Sequence, residues 1–185
     1  AAYGITGKLE TILFYPAMAL NMVLTTIVGQ CVGAKRIDRA KDYSKCALKY
    51  GTCLLIILTV IVVVFSKQLA SLFVKSADAA VIVGTYFVIV GIGYVLNTIT
   101  NCHLGFLNGI GKPSKSMLLM IFYYIVIRMP LAYLLSCLGL GLNGIWLAVL
   151  VSHVVAGIAS TVTKTLLMRS FLDKQHRPLY NNKSY

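Results

Sequence analysis

A nearly uncharged apolar run, residues 9–32, ends abruptly in the segment GQCVGAKRIDRA, residues 29–40, where Lys35, Arg36 and Arg39 crowd together. A helix needs about 20 apolar residues to cross the roughly 30 Å hydrocarbon core of a bilayer. The run is therefore long enough to span, and its basic end marks where the chain leaves the lipid. Similar runs follow at about 46–65, 81–104, 116–138 and 142–167. With 58% hydrophobic and 12% charged residues, against about 25% charged in soluble domains, the chain reads as an all-α polytopic membrane protein of five transmembrane helices. Residues 1–170 form the membrane part and residues 171–185 a polar cytoplasmic tail. No soluble domain remains to house an enzyme site, so an enzyme is not expected.

The net charge of +12 does not point to a nucleic-acid partner, because of where the charges fall. Basic residues cluster after the first span (Lys35 to Lys49), after the third (Lys112, Lys115) and at the end of the fifth (Lys164 to Lys183). In a five-span weave those places share one side, and the positive-inside rule makes that side cytoplasmic. The C-terminus is then cytoplasmic and the N-terminus outside. An odd number of spans beginning outside, with no initiating Met, reads as the later part of a longer protein. The five Cys form no CxxC pair, so neither a disulfide framework nor a zinc or other metal site is expected.

Individual residues refine this outline. Pro16 should bend the first span, since it lacks an N–H and its ring clashes with the preceding turn. Glu10, in the first turn of that span, reads either as an interfacial charge paired with Lys8 or as the outer mouth of a cation path. Gly29 and Gly33 with Ala34 leave one helix face bare, a packing notch in lipid, and Gln30 can hydrogen-bond across it. The second span is almost pure Ile, Val and Leu and reads as a scaffold helix. Ser76 and Asp78 can cap the third span. That span carries Asn97 and Asn101 on one face, which must meet another helix or a watery cavity, as glue or as part of a substrate or ion path.

Between the third and fourth spans lies a tight turn containing Gly109, Gly111, Lys112 and Pro113. Its GxGK is not a phosphate loop, because Phe106 and Pro113 stand where a Walker A motif needs Gly and Ser or Thr. The fourth span holds Tyr123, Tyr124, Arg128 and Pro130. Arg128 lies roughly 18 Å along its span at 1.5 Å per residue, near the midplane. A charge there costs at least about 2.5–3.5 kcal/mol, so Arg128 should face protein or water or snorkel outward, either as an anchor clamping carbonyls freed by Pro130 or, with Tyr123 and Tyr124, as part of a substrate or ion path. Trp146 is expected at the outer interface, and His153, mid-span, as a buried hydrogen-bonded histidine.

The ordered set GQCVGAKRIDRA (29–40), LNGIGKPSKS (107–116), RMPLAY (128–133) and GLNGIWLA (141–148) resembles the multidrug and toxic compound extrusion (MATE) family. The resemblance covers nearly the whole chain. It implies the last five of twelve helices, part of the C-terminal six-helix bundle, with the N-terminal half of the protein as a partner. It also implies a bacterial plasma-membrane antiporter that exports toxic cations and drugs in exchange for sodium ions or protons, without another cofactor. Some members carry a coupling carboxylate where this third span has Asn97 and Asn101, so the resemblance places the coupling acids in the first bundle or helix seven, outside this chain. A lipid-linked oligosaccharide flippase of the same superfamily and a non-transporting scaffold subunit are the alternatives.

Overall fold

The computed structural model describes residues 2–66, 68, 69 and 77–176, with side chains of 2–9, 77–80 and 170–176 left aside. Every element found among them is helical. The helices are α1 (Ala2–Gly33), α2 (Ile37–Val64), α3 (Ala77–Gly109), α4 (Pro113–Ile121), α5 (Met129–Leu135) and α6 (Gly141–His176). Two π-helical turns, Phe122–Arg128 and Ser136–Leu140, join α4 to α5 and α5 to α6. Apolar stretches long enough to span a membrane cover Glu10–Gly33, Ile37–Val64, Val81–Gly109 and Pro113–Arg169. The chain is a multi-pass membrane protein.

The last stretch, 57 residues, would be about 85 Å long as one straight helix, far more than a bilayer's thickness. It folds back instead. Gly139 (φ 85°) and Gly141 (φ 51°) adopt backbone conformations closed to most side chains, and the two limbs pack side by side. Arg128 reaches Ser152 while Gly144 faces the Leu135 carbonyl, so a step down one limb matches a step up the other.

Two basic-end turns share one device. After α1, Lys35 N–H donates to Val32 O and Arg36 N–H to Cys31 O, with Lys35 at φ 56°. After α3, Gly111 N–H donates to Asn108 O and Lys112 N–H to Leu107 O, with Gly111 at φ 75°. Both are Schellman caps, which satisfy carbonyls orphaned at a helix end and need a left-handed residue. Pro113 then opens α4 in its first turn, where a missing N–H costs nothing. Because Lys35 occupies its turn without glycine's freedom, Lys35→Gly should raise the thermal unfolding midpoint. Gly111→Val should lower it, each by the equivalent of about 1 kcal/mol. Unfolding of the detergent-solubilised protein checks both signs.

α2 is helical from Ile37, upstream of the span expected from residue 46, because one buried face of Ile37, Ala40, Ser44, Gly51, Leu55, Thr59 and Val62 runs unbroken from the basic segment. α1 is helical through Pro16. One expectation is corrected. Trp146 is buried and packs edge-on against Tyr86 with ring centroids 5.6 Å apart, an inner contact in place of an interfacial belt. The expected cap at Ser76 and Asp78 and the tail beyond 176 lie outside the described residues.

α3 is the central helix: 56% of its spanning window is buried, against 22% for α1 and α2. One core gathers Leu13, Leu55, Val83, Phe87, Val90 and Tyr94, and a second, toward the basic end, gathers Leu24, Val28, Cys102, Phe106 and Leu107. Between them α1 and α3 touch almost backbone to backbone. A Cβ on Gly105 would stand 2.5 Å from the Asn21 carbonyl oxygen, and one on Gly109 2.6 Å from Val28 Cβ. The packing notch expected on α1 is thus carried chiefly by α3. Gly29 contributes, 3.7 Å from Gly109 O, but nothing stands within 4 Å of a Cβ at Gly33. Gln30, Ala34 and Arg39 are exposed. Gln30 makes no side-chain bond across the notch among the described residues, because that face turns outward beyond the α1–α3 crossing.

Candidate functional site

Two groups of polar side chains at membrane depth stand out on α3, besides the contact of His103 with Ser160 and Thr161 on α6. The first is an amide ladder. Asn21 on α1 donates from Nδ2 to Asn101 Oδ1 at 3.3 Å, and Asn101 donates from its own Nδ2 to Asn97 O at 3.0 Å and Asn97 Oδ1 at 3.2 Å. Thr25 Oγ1 donates to Asn21 O at 2.8 Å and sits 3.3 Å from Gly105 O. Asn101 thus serves as interhelical glue. Asn97 is 1% exposed and its Nδ2 has no partner among the described residues. Asn101→Ala should lower stability by about 0.6–2 kcal/mol, the range for such bonds between membrane helices. A double-mutant cycle with Asn21→Ala in detergent unfolding should return most of that loss as coupling.

The second group joins α1, α3, α6 and the π-helical turn. Tyr86 and Tyr94, eight residues apart on one buried face of α3, hold their hydroxyls 3.1 Å apart. The half-buried Glu10 carboxylate on α1 lies close enough to Tyr86 and Tyr94 for its charge to act on both hydroxyls. Beyond Tyr94, the His153 ring on α6 has its centroid 6.2 Å from the tyrosine ring. His153 Nε2 lies 3.2 Å from Arg128 Nη2. Arginine only donates, so Nε2 accepts and the imidazole proton resides on Nδ1, which has no partner among the described residues.

Arg128 is held on three sides. Its Nε donates to Ser152 Oγ at 2.9 Å, its guanidinium lies 4.6 Å over the Tyr124 ring, and Tyr124 in turn stacks on buried Tyr123 at 4.4 Å. The expected clamp on carbonyls freed by Pro130 is not made. Pro130 stands exposed in the first turn of α5, and the π-helical turn aims Arg128 across at α6 side chains. A planar, delocalised cation that stacks on aromatic rings and donates in a fork suits this position better than an ammonium would.

The structure therefore brings Glu10, Tyr123, Tyr124 and Arg128 to one bridge with an acid at one end and a guanidinium at the other. Asn97 and Asn101 belong to the neighbouring ladder, one turn along α3. Lys8, the partner expected for Glu10, lies outside the described side chains. Tyr86, Tyr94, Ser152 and Asn21 were not singled out from the sequence. The signal was available for the tyrosines, since positions 86, 90 and 94 share a helical face, but tyrosine is also an ordinary membrane-interface residue.

The MatE family model matches residues 1–134. The chain is 30% identical over 183 residues to the probable multidrug resistance protein NorM of Pasteurella multocida, covering 96% of this chain and 38% of that protein. It is 28% identical over 159 residues to a FAD transporter of Shewanella oneidensis, covering 86% of this chain and 35% of that one. The solved outward-facing conformation of a multidrug resistance MATE family transporter of the MOP superfamily shares the fold, with a TM-score of 0.86 at 20% identity over 92% of this chain and 38% of that chain. The chain spans about two fifths of the length of these relatives.

Proposed function

Because the chain belongs to the MatE family, we propose that it forms part of a secondary transporter that exports cationic, amphipathic compounds by alternating access, in exchange for sodium ions or protons. The observation that carries this reading is the bridge from Glu10 through Tyr86, Tyr94 and His153 to Arg128. Among the described side chains Glu10 is the carboxylate within the bridge, while Asp38 and Asp42 stand in the first turns of α2 at the basic end. A cation or proton arriving at Glu10 competes with the two tyrosine hydroxyls for its oxygens. Their release reorients the tyrosine pair and loosens the contact with His153 and Arg128, so occupancy at α1 is felt at the α4–α6 hairpin. Ligand-linked shifts of this kind need differential binding between two arrangements, and a charge placed in a low-dielectric interior supplies it.

The activity belongs to the intact transporter. Cells expressing it should extrude ethidium or norfloxacin in an energy-dependent manner, faster than an empty-vector control. No difference from that control, under both sodium and proton gradients, would refute the transport reading.

A second reading rests on Arg128. A guanidinium at mid-span stacked on Tyr124 suits a cargo that is anionic and aromatic, and one relative is named a FAD transporter. Efflux of FAD without efflux of ethidium would select it.

A further inference from the structure

Lys164 is a cation placed where cations are costly. It is 8% exposed on α6, donates from Nζ to Ser44 Oγ on α2 at 2.7 Å and stands 5.0 Å over the Phe106 ring of α3. No carboxylate pairs with it among the described residues. A hydroxyl and a ring face offset part of the cost of burying the charge, and the rest calls for an anion.

Beside Lys164 a cleft of about 440 Å³ opens between α2 and α6, lined by Lys41, Lys45, His103, Lys164, Thr165 and Arg169 among others. Lys41 is shared with Asp38 at 3.3 Å; Lys45 and Arg169 have no ion-pair partner among the described residues. The cleft lies at the basic end of the bundle, in the first turns of α2, where clustered lysines and arginines suit the headgroup region. It does not stop there. Thr161 also lines an apolar groove of about 320 Å³ between α3 and α6, walled by Leu96, Ile99, Ile158 and Val162, which leads from the cleft toward mid-membrane. Val162 and Ile158 are 51% and 63% exposed, so an acyl chain can lie along them.

We propose that this cleft and groove together bind one anionic phospholipid from the leaflet at the basic end. Lys45, Lys164 and Arg169 receive the phosphodiester, and the α3–α6 groove receives an acyl chain. Basic pockets between membrane helices suit anionic headgroups, and the continuity of a cationic cleft with an apolar groove favours a lipid over a free phosphate ion. The site is separate from the Glu10–Arg128 bridge and stands whether or not that bridge couples transport.

Native mass spectrometry of the intact protein, titrated with dioctanoyl phosphatidylglycerol, dioctanoyl phosphatidylcholine or inorganic phosphate, tests the proposal. One phosphatidylglycerol should be retained at least tenfold more tightly than phosphatidylcholine. The pair Lys45→Gln, Arg169→Gln and, separately, Ile158→Trp should each weaken it at least tenfold. Both sets sit at exposed positions, so the fold should survive, and unfolding midpoints check that it does. Equal retention of the two lipids, or no loss in a folded variant, would overturn the site. Displacement of phosphatidylglycerol by an equal concentration of inorganic phosphate would overturn the lipid and leave an anion site.

Discussion

Replacing Arg128 by leucine should cut efflux by tenfold or more while the protein still reaches the membrane. Insertion should not suffer, because leucine is favoured and arginine disfavoured at the centre of a spanning helix. What is lost is the fork that holds Ser152 and His153 and the stacking on Tyr124. Hydrogen bonds from a charged group are worth about 1.5–3 kcal/mol, and each 1.4 kcal/mol is a factor of ten in rate or binding. Ser152 keeps its bond to Val149 O at 2.7 Å, but His153 is left buried with both ring nitrogens unpaired. Arg128→Lys keeps the charge and loses the planar fork, so its activity should fall between the two. Drug efflux from cells, normalised to the amount of protein in the membrane, checks the order arginine, lysine, leucine. Wild-type efflux in the leucine variant would remove Arg128 from the mechanism.

The largest structural effect should come from Gly105→Val. Even the first carbon of the new side chain would stand 2.5 Å from the Asn21 carbonyl oxygen and 3.0 Å from Asn21 Cα. Backbone cannot step aside as a flexible side chain can, so α1 must move off α3. Overpacking of this kind costs about 1–3 kcal/mol or more, and here the movement also breaks the Asn21–Asn101 and Thr25–Gly105 contacts. Gly33→Val is the matched control: it also puts valine in place of a helical glycine, but with nothing within 4 Å of the new Cβ. The midpoint in detergent should fall steeply for Gly105→Val and little for Gly33→Val. Equal falls would mean that helix propensity, and not the α1–α3 approach, governs these positions.

These two sites show what was legible in the sequence and what was not. Apolar run length and the placement of lysines and arginines gave the helices and their common basic end. At that end, Lys164 meets Ser44 and Gly109 meets Val28. Residue type alone marked Arg128, Tyr123 and Tyr124, because a charge at mid-span must have company. Its partners were hidden, since Ser152 and His153 lie 24 and 25 residues away and meet it only because the chain reverses at Gly139–Gly141. A GxxxG spacing was visible on α1, yet Gly33 packs against nothing while Gly105 and Gly109 on α3 take the crossing. Spacing says that a face is bare, and only the partner helix decides whether it is used. Glu10 stood out as a carboxylate near a span, and the two tyrosines of α3 on whose hydroxyls its charge acts are neighbours that no local pattern on α1 could reveal.

On the proposed function, Glu10 links a cation gradient to export through the tyrosine pair. Ethidium transport by the intact protein in proteoliposomes, with and without an imposed sodium or proton gradient, distinguishes wild type from Glu10→Gln. The gradient should accelerate wild-type transport and leave Glu10→Gln, incorporated at equal density, at its rate without a gradient. A Glu10→Gln protein that responds to the gradient as strongly as wild type would contradict this link.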